Sequence, residues 1–407
     1  MRFNMKCLLG VCVLIFFTSF FIRDSYSEES RGVTKDTIKI GIVGPLTGPV
    51  AGSGIPYITG AKSYFRYFNE VGGVHGRKIK TIVEDDRYSI PMAIAAFKKL
   101  VYRDRVMAIV GGGGTVGITA LFKSIKKEKM PVIAFSLAES MVTPQPQKRY
   151  VFIAGATYKG EMEVLFDYLM NDLPIKKPKI GFIYPDTTLG HESLKYIEER
   201  AEKYSTKLAR KEVLNYGAIE ATSQILNIKR AKVDYIIMGG SISQSAIAFL
   251  RGLQQYGLST PVYGNFGACN EDVIEVVGKA ARNYHGTSML SSWYEKDVPG
   301  IKLMRKVTKG YNIREEKGIK TRLYVWGWLS ALIYTEGMKR AGKNLDGEAL
   351  VDKIETLENF DNGGLSGSLT YSKSKHYGNE YWRVHKANVE KKVMEPITDW
   401  IKPVEFK

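Results

Sequence analysis

Residues 37–68 read TIKIGIVGPLTGPVAGSGIPYITGAKSYFRYF. An apolar run at 38–43 is long enough for one buried strand, and it gives way to Gly44-Pro45-Leu46-Thr47-Gly48, a stretch of turn formers. Beyond it Ile58, Ala61, Phe65 and Phe68 recur at helical spacing, so the stretch predicts strand, loop and helix in that order.

The same unit repeats outward. Residues 78–83 precede a helix at 91–101, and 106–110 meets a glycine run, after which Ile118, Leu121, Phe122 and Ile125 mark one helix face. Residues 131–135 close this first set. After 150–158 the pattern restarts. Strand 179–184 leads to a helix bearing Leu194, Ile197, Ala201 and Tyr204, and strand 233–238 to one bearing Ala246, Leu250 and Leu253; strands 261–263 and 284–290 come next. Alternation of this kind predicts an α/β fold of two Rossmann-like, doubly wound parallel sheets in series. The C-terminal part is less regular: helices at 322–341 and 347–357, a loop at 363–367, and a hairpin pairing 368–371 with 381–385. Ligands of doubly wound sheets sit beyond the carboxyl ends of the strands. The loops to question are therefore 47–54, 111–115, 136–138, 186–189, 239–241 and 265–266.

The chain has 407 residues, 44% hydrophobic and 25% charged, which excludes a disordered tail, a collagen-like repeat and a disulfide scaffold. Its length exceeds what one core of about 250–300 residues supports, so two domains are expected. At the N-terminus Arg2 and Lys6 precede an apolar run at 7–22, and Ser25-Tyr26-Ser27 offers small residues for cleavage. We read residues 1–27 as a secretory signal, with an uncleaved anchor as the alternative; the run is short for a span of roughly 20 residues. Of the three cysteines, Cys7 and Cys12 leave with that signal, so Cys269 has no internal disulfide partner. The net charge of +17 raises a nucleic-acid reading, but the cations are interspersed with acids, as in Lys195, Glu198, Glu199, Glu202 and Lys203. A solvated basic surface is the expectation, with no nucleic-acid partner.

Enzyme signatures are scarce. The sequence lacks a Walker A loop, a nucleophile elbow and a His-Glu-x-x-His motif, and its five histidines (75, 191, 285, 376, 385) have no metal-ligand spacing. No metal and no cofactor are expected. Asp85-Asp86 has two readings: a cation or base site, or caps for the helix entered at Ser89-Ile90-Pro91. Residues 112–117, Gly-Gly-Gly-Thr-Val-Gly, fit the dinucleotide fingerprint G-x-G-x-x-G between a strand and a helix. Such a loop offers backbone amides and a helix N-terminus to a nucleotide or a small carboxylate, and it is equally a tight turn. A nucleotide-dependent enzyme using 112–117 is therefore one alternative reading.

The segments Ile40-Gly41-Ile42-Val43-Gly44-Pro45-Leu46-Thr47-Gly48 and Asn69-Glu70-Val71-Gly72-Gly73-Val74-His75-Gly76-Arg77, leading to Asp85-Asp86, resemble the opening of the periplasmic branched-chain amino acid-binding proteins of ABC transporters. The similarity runs with decreasing strength from about residue 37 to about residue 370. It implies a type I periplasmic binding fold, two lobes joined by three crossings that close on a solute, with no covalent chemistry. On that fold we expect lobe 1 at 28–156 plus 290–363 and lobe 2 at 157–289 plus 364–407. The implied partners are a small-molecule solute and a membrane permease, with the protein itself a monomer in the periplasm or outside the cell. A ligand-sensing ectodomain of the same fold is the other alternative.

The resemblance also implies ligand positions. Thr115 with Gly113 and Gly114 would meet the solute carboxylate, and Ser136, Leu137 and Ala138 form a second set in which Ala138 stands where a threonine is usual. Ser53 replaces a bulky aromatic; Leu189, and likewise Ser241, stand where a tyrosine is common. Phe266 occupies the place of the acid that pairs with the solute ammonium, which makes an ordinary α-amino acid doubtful unless Asp186 or Glu139 substitutes. Phe266, Leu189, Phe135 and Tyr158 suggest an apolar or aromatic wall, with Phe135 equally a core residue.

Overall fold

The computed structural model describes residues 30–311 and 320–406; the expected signal at 1–27 lies outside them. In chain order the elements are β1 (Thr37–Gly44), α1 (Ala51–Glu70), β2 (Lys78–Asp85), α2 (Ile90–Lys98), β3 (Ala108–Gly111), α3 (Gly114–Glu128), β4 (Val132–Ile133) and β5 (Val151–Phe152). They continue with α4 (Tyr158–Asn171), β6 (Ile180–Tyr184), α5 (Thr188–Lys203), β7 (Arg210–Val213), α6 (Thr222–Ala231), β8 (Tyr235–Met238), α7 (Ser243–Gln255), β9 (Val262–Gly264), α8 (Glu271–Val277) and β10 (Tyr284–Ser288). The last are α9 (Pro299–Gly310), α10 (Arg322–Ala341), α11 (Gly347–Ile354), β11 (Arg383–Asn388) and β12 (Val393–Pro396).

Two sheets result. The first, ordered β2-β1-β3-β4-β5, is wholly parallel. The second, ordered β12-β11-β10-β9-β8-β6-β7, is parallel from β10 to β7 and ends in an antiparallel hairpin. The strand order reverses between β1 and β3 in one sheet and between β6 and β8 in the other. Those reversals open a crevice at the carboxyl ends of both sheets.

The chain leaves the first sheet after β5, returns after β10 and leaves again before β11. On its return α10 lies against α1 with the backbones nearly touching: a Cβ on Gly60 would collide with the Tyr324 carbonyl, and one on Gly327 with that of Tyr57. The Tyr334 hydroxyl donates to the Ile109 carbonyl (2.8 Å), fastening α10 to β3. The segment up to Gly378 also stays with the first sheet: Tyr371 donates to the Ile153 carbonyl (2.8 Å) and the His376 ring stacks on Phe152 (4.2 Å). The final departure thus falls after Gly378.

Two differences from the sequence expectation have a common cause. The C-terminal hairpin is β11–β12, not 368–371 with 381–385. The edge strand β7 and the helix α6 after it were not anticipated. Arg210, Lys211, Lys386 and Glu395 mask the strand pattern, as polar residues at sheet edges do.

Candidate functional site

A cavity lies between the two sheets, with an empty volume of about 520 Å³. The first seven successive loops each lend it a residue: Val50 and Ser53 after β1, Tyr88 after β2, Thr115 after β3, Phe135 after β4, Tyr158 after β5, Leu189 after β6 and Tyr216 after β7. Ser241 and Ile242 come after β8, Asn265, Phe266 and Gly267 after β9, and Leu323 with Trp326 from α10. The two halves stand close together here, since Ser140 just after β4 reaches Glu192 on α5 at 2.5 Å.

The polar end is at the start of α3. Gly113 precedes that helix with φ of 85°, Gly114 opens it with φ of 64°, and no side chain caps it. Early helical N–H groups have no partner within their helix, and they favour an acceptor or anion. Thr115 and Ser136, 2% and 1% exposed, lie with their hydroxyl oxygens 2.8 Å apart, and the Ala138 N–H donates to Ser136 Oγ (3.1 Å). Two hydroxyls sharing one contact commit one proton to it. Where Ser136 donates, the Thr115 hydroxyl, which belongs to a cavity-lining residue, keeps its proton for a solute.

The remaining wall is aromatic. The Phe135 and Trp326 ring centroids are 5.2 Å apart, and Phe266 meets Trp326 edge-on at 5.6 Å and 88°. Trp326 is buried, and its indole Nε1–H has no partner among the described residues. The Tyr216 hydroxyl donates to the Gly240 carbonyl (2.7 Å), and burial pushes the Tyr88 phenol up to about 12 and those of Tyr158 and Tyr216 higher still. All three tyrosines are therefore neutral at physiological pH.

Of the residues singled out from sequence, Ser53, Thr115, Tyr158, Leu189, Ser241 and Phe266 line the cavity. Phe135 does so too while packing against Tyr57 (4.7 Å), so its core and wall readings both hold. Gly113, Gly114 and Ser136 do not line the cavity; the two glycines precede Thr115 at the start of α3, and the Ser136 hydroxyl contacts that of Thr115. Leu137 and Ala138 do not line the cavity; both are fully buried in the first core, and the Leu137 carbonyl accepts from the Tyr158 N–H (2.8 Å). Asp186 is exposed and bonds His191 Nε2 (2.7 Å), because the turn into α5 directs it outward; it does not reach the cavity. Glu139 faces Lys159 in a separate outer groove.

Asp85 and Asp86 cap no helix with their side chains. Asp85 accepts from the N–H groups of Leu46 and Arg87 (2.9 Å each) and from the Thr47 hydroxyl (2.6 Å), tying two cavity loops together. Asp86 accepts from the Tyr88 N–H (2.8 Å), and burial pushes its carboxyl up to about 6. Arg87 and Tyr88 adopt positive φ (51° and 55°), which lays the Tyr88 ring over Gly114. With Tyr88 above Gly114 and Ala93 against Gly113, close approach and positive φ account for the glycine run at 112–117 without a nucleotide.

Sequence reasoning missed Tyr88, Tyr216, Ile242, Gly267, Leu323 and Trp326, and singled out Asn265 only as part of the loop 265–266. For Asn265 the position after β9 was a usable signal. For Trp326 none existed, because α10 reaches the cavity only by folding back on the first sheet.

A family model described as periplasmic binding protein matches residues 37–392. The leucine-, isoleucine-, valine-, threonine- and alanine-binding protein of Pseudomonas aeruginosa is 26% identical over 326 residues, covering 77% of this chain and 81% of its own. The Escherichia coli Leu/Ile/Val-binding protein is 20% identical over 281 residues, covering 69% and 72%. Among solved structures, a branched-chain amino acid ABC transporter protein from Thermus thermophilus with bound valine superposes with a TM-score of 0.84 at 22% identity, covering 91% of this chain and 97% of that one. A fatty acid ABC transporter substrate-binding protein from Thermomonospora curvata superposes at 0.81 and 22%, covering 92% and 95%. The chain belongs to the periplasmic binding protein family, alongside the branched-chain amino acid-binding proteins, and is a binding protein rather than an enzyme.

Proposed function

We propose that this protein is the solute-capturing component of an ABC uptake system, working in the periplasm or outside the cell. A carboxylate or similarly polar head is held by the start of α3, Thr115 and Ser136, and an apolar or aromatic body lies against Phe266, Leu189 and Trp326. The observation that carries this reading is the cavity itself, which every parallel strand-end loop from β1 to β9 helps to line. A solute touching both halves favours the closed arrangement over the open one, and the closed form docks on the permease.

The ABC partner is suggested by the names of the structural neighbours, and the location by the family. No helix among the described residues is long and apolar enough to cross a membrane. A thermal-shift screen of carboxylates, amino acids, amides and polyols identifies the solute, since a ligand specific for the folded form raises its melting point. Calorimetry with Thr115→Val then tests the site. Losing the buried hydroxyl should weaken binding by about 1–3 kcal/mol, and an unchanged Kd would refute the assignment.

A further inference from the structure

We propose that the solute is a small monocarboxylate with a branched or aromatic body and no ammonium group. The proposal rests on the interlobe cavity being the solute site, and it narrows what that site accepts.

Among the described residues, none that lines the cavity is charged. A buried ammonium requires a counter-ion or it is strongly disfavoured. No nearby carboxyl lines the cavity, although Glu161 Oε2 and Asp86 Oδ2 are buried without a partner among the described residues. Glu161 lies behind Phe266, where its Oε1 accepts from the Phe266 N–H (2.5 Å) and the Thr287 hydroxyl (2.6 Å). It does not line the cavity, and burial pushes its carboxyl up to about 8, so it is mostly neutral at pH 7. Asp86 is fully buried beneath the Tyr88 backbone, Asp186 is turned out to His191, and Glu139 faces Lys159 in the outer groove.

Of the buried side-chain groups left without a partner among the described residues, the one on a cavity-lining residue is a donor. The Thr115–Ser136 pair keeps one hydroxyl proton, and the Trp326 indole N–H is buried without a partner. An indole N–H has no lone pair for an ammonium to use, whereas a carboxylate oxygen satisfies it. Aromatic faces can hold a cation, but here Phe135, Trp326 and Phe266 pack on one another at 5.2 and 5.6 Å, which occupies part of those faces. Donors at one end and an uncharged, largely aromatic wall elsewhere, with the polar groups of Ser53, Ser241 and Asn265 along it, complement an acid whose second carbon bears no charge.

The test is calorimetry on the full secreted protein with matched pairs: 4-methylpentanoate against leucine, and 3-phenylpropanoate against phenylalanine. Within at least one pair the acid should bind at least about tenfold more tightly than its amino counterpart. Equal or tighter binding of the amino acid overturns the proposal while leaving solute capture in the cavity standing. Binding of an amide or polyol alone overturns it in the same way. If nothing in the thermal screen binds, or Thr115→Val leaves every bound solute unaffected, the reading of the cavity itself fails. Phe266→Glu should narrow or invert the preference within the pair; if melting shows that variant unfolded, Phe266→Leu must retain the preference for the acid, and its loss in Phe266→Leu would overturn the proposal.

Discussion

Glu161 is buried with one carboxyl oxygen bonded to the Phe266 N–H and the Thr287 hydroxyl and the other without a partner. Removal from water is the largest cause of its rise from an ordinary 4.5 to about 8; the two hydrogen bonds oppose it. A carboxyl whose pKa is raised on folding stabilises the native state fully below its unfolded pKa. That contribution is lost as pH climbs from the unfolded pKa toward the folded one. Native stability should therefore fall between about pH 4.5 and about pH 8 through this group, and Asp86, pushed up to about 6, acts in the same direction. Glu161→Gln keeps an acceptor for both bonds and cannot ionise. Its melting point relative to the parent should rise from about pH 5 to about pH 8 and level off above that; a difference independent of pH would show that Glu161 does not carry the dependence. Phe266, one residue away in the same network, was legible in the sequence as a departure from a family position. Glu161 was not, since nothing in Lys159-Gly160-Glu161 signals a carboxyl aimed at a loop more than a hundred residues later.

The helix pair α1 and α10 brings a first-sheet strap to the cavity, and Gly60 and Gly327 make their close approach possible. Gly60→Ala places a methyl against the Tyr324 carbonyl, and neither helix backbone can yield without moving Leu323 and Trp326 in the cavity wall. We expect a loss of about 1–3 kcal/mol in urea unfolding. An unchanged midpoint would mean that the helices separate freely. The apolar faces of both helices were readable from spacing, and so were the strands β1, β3, β6 and β8, each of which has a neighbour on both sides and is itself mostly apolar and buried. The polar edge strands β7 and β12 were not, because an edge exposes one side to water and tolerates charge there.

At the scale of the whole molecule, a hydroxyl–carboxyl contact joins the two halves directly. The Ser140 hydroxyl donates to Glu192 (2.5 Å), whose carboxyl is held above its usual range chiefly by burial and whose second oxygen has no partner among the described residues. On the proposed clamp reading this bond forms only when the halves are together, so it would bias closure without bearing on the fold of either half. Ser140→Ala leaves Glu192 buried with one bond fewer, a cost of about 1–3 kcal/mol confined to the closed arrangement. Solute affinity should fall roughly five- to a hundredfold, while the melting point without solute changes little. A Kd equal to the parent's would show that the contact plays no part in closure.

The sequence by itself determined the strand–loop–helix repeat, the two sheets it builds and cavity residues such as Ser53, Thr115, Leu189 and Phe266, because each is a local matter of apolar spacing or of position just after a strand. Tertiary structure alone decided that Tyr88, Tyr216 and Trp326 share one cavity with Thr115, that Asp186 turns outward, and that Leu137 and Ala138 sink into the core. Those outcomes depend on strand order and on where distant loops meet across the crevice. Such positions are set by the summed burial of two sheets, which no short stretch of chain encodes.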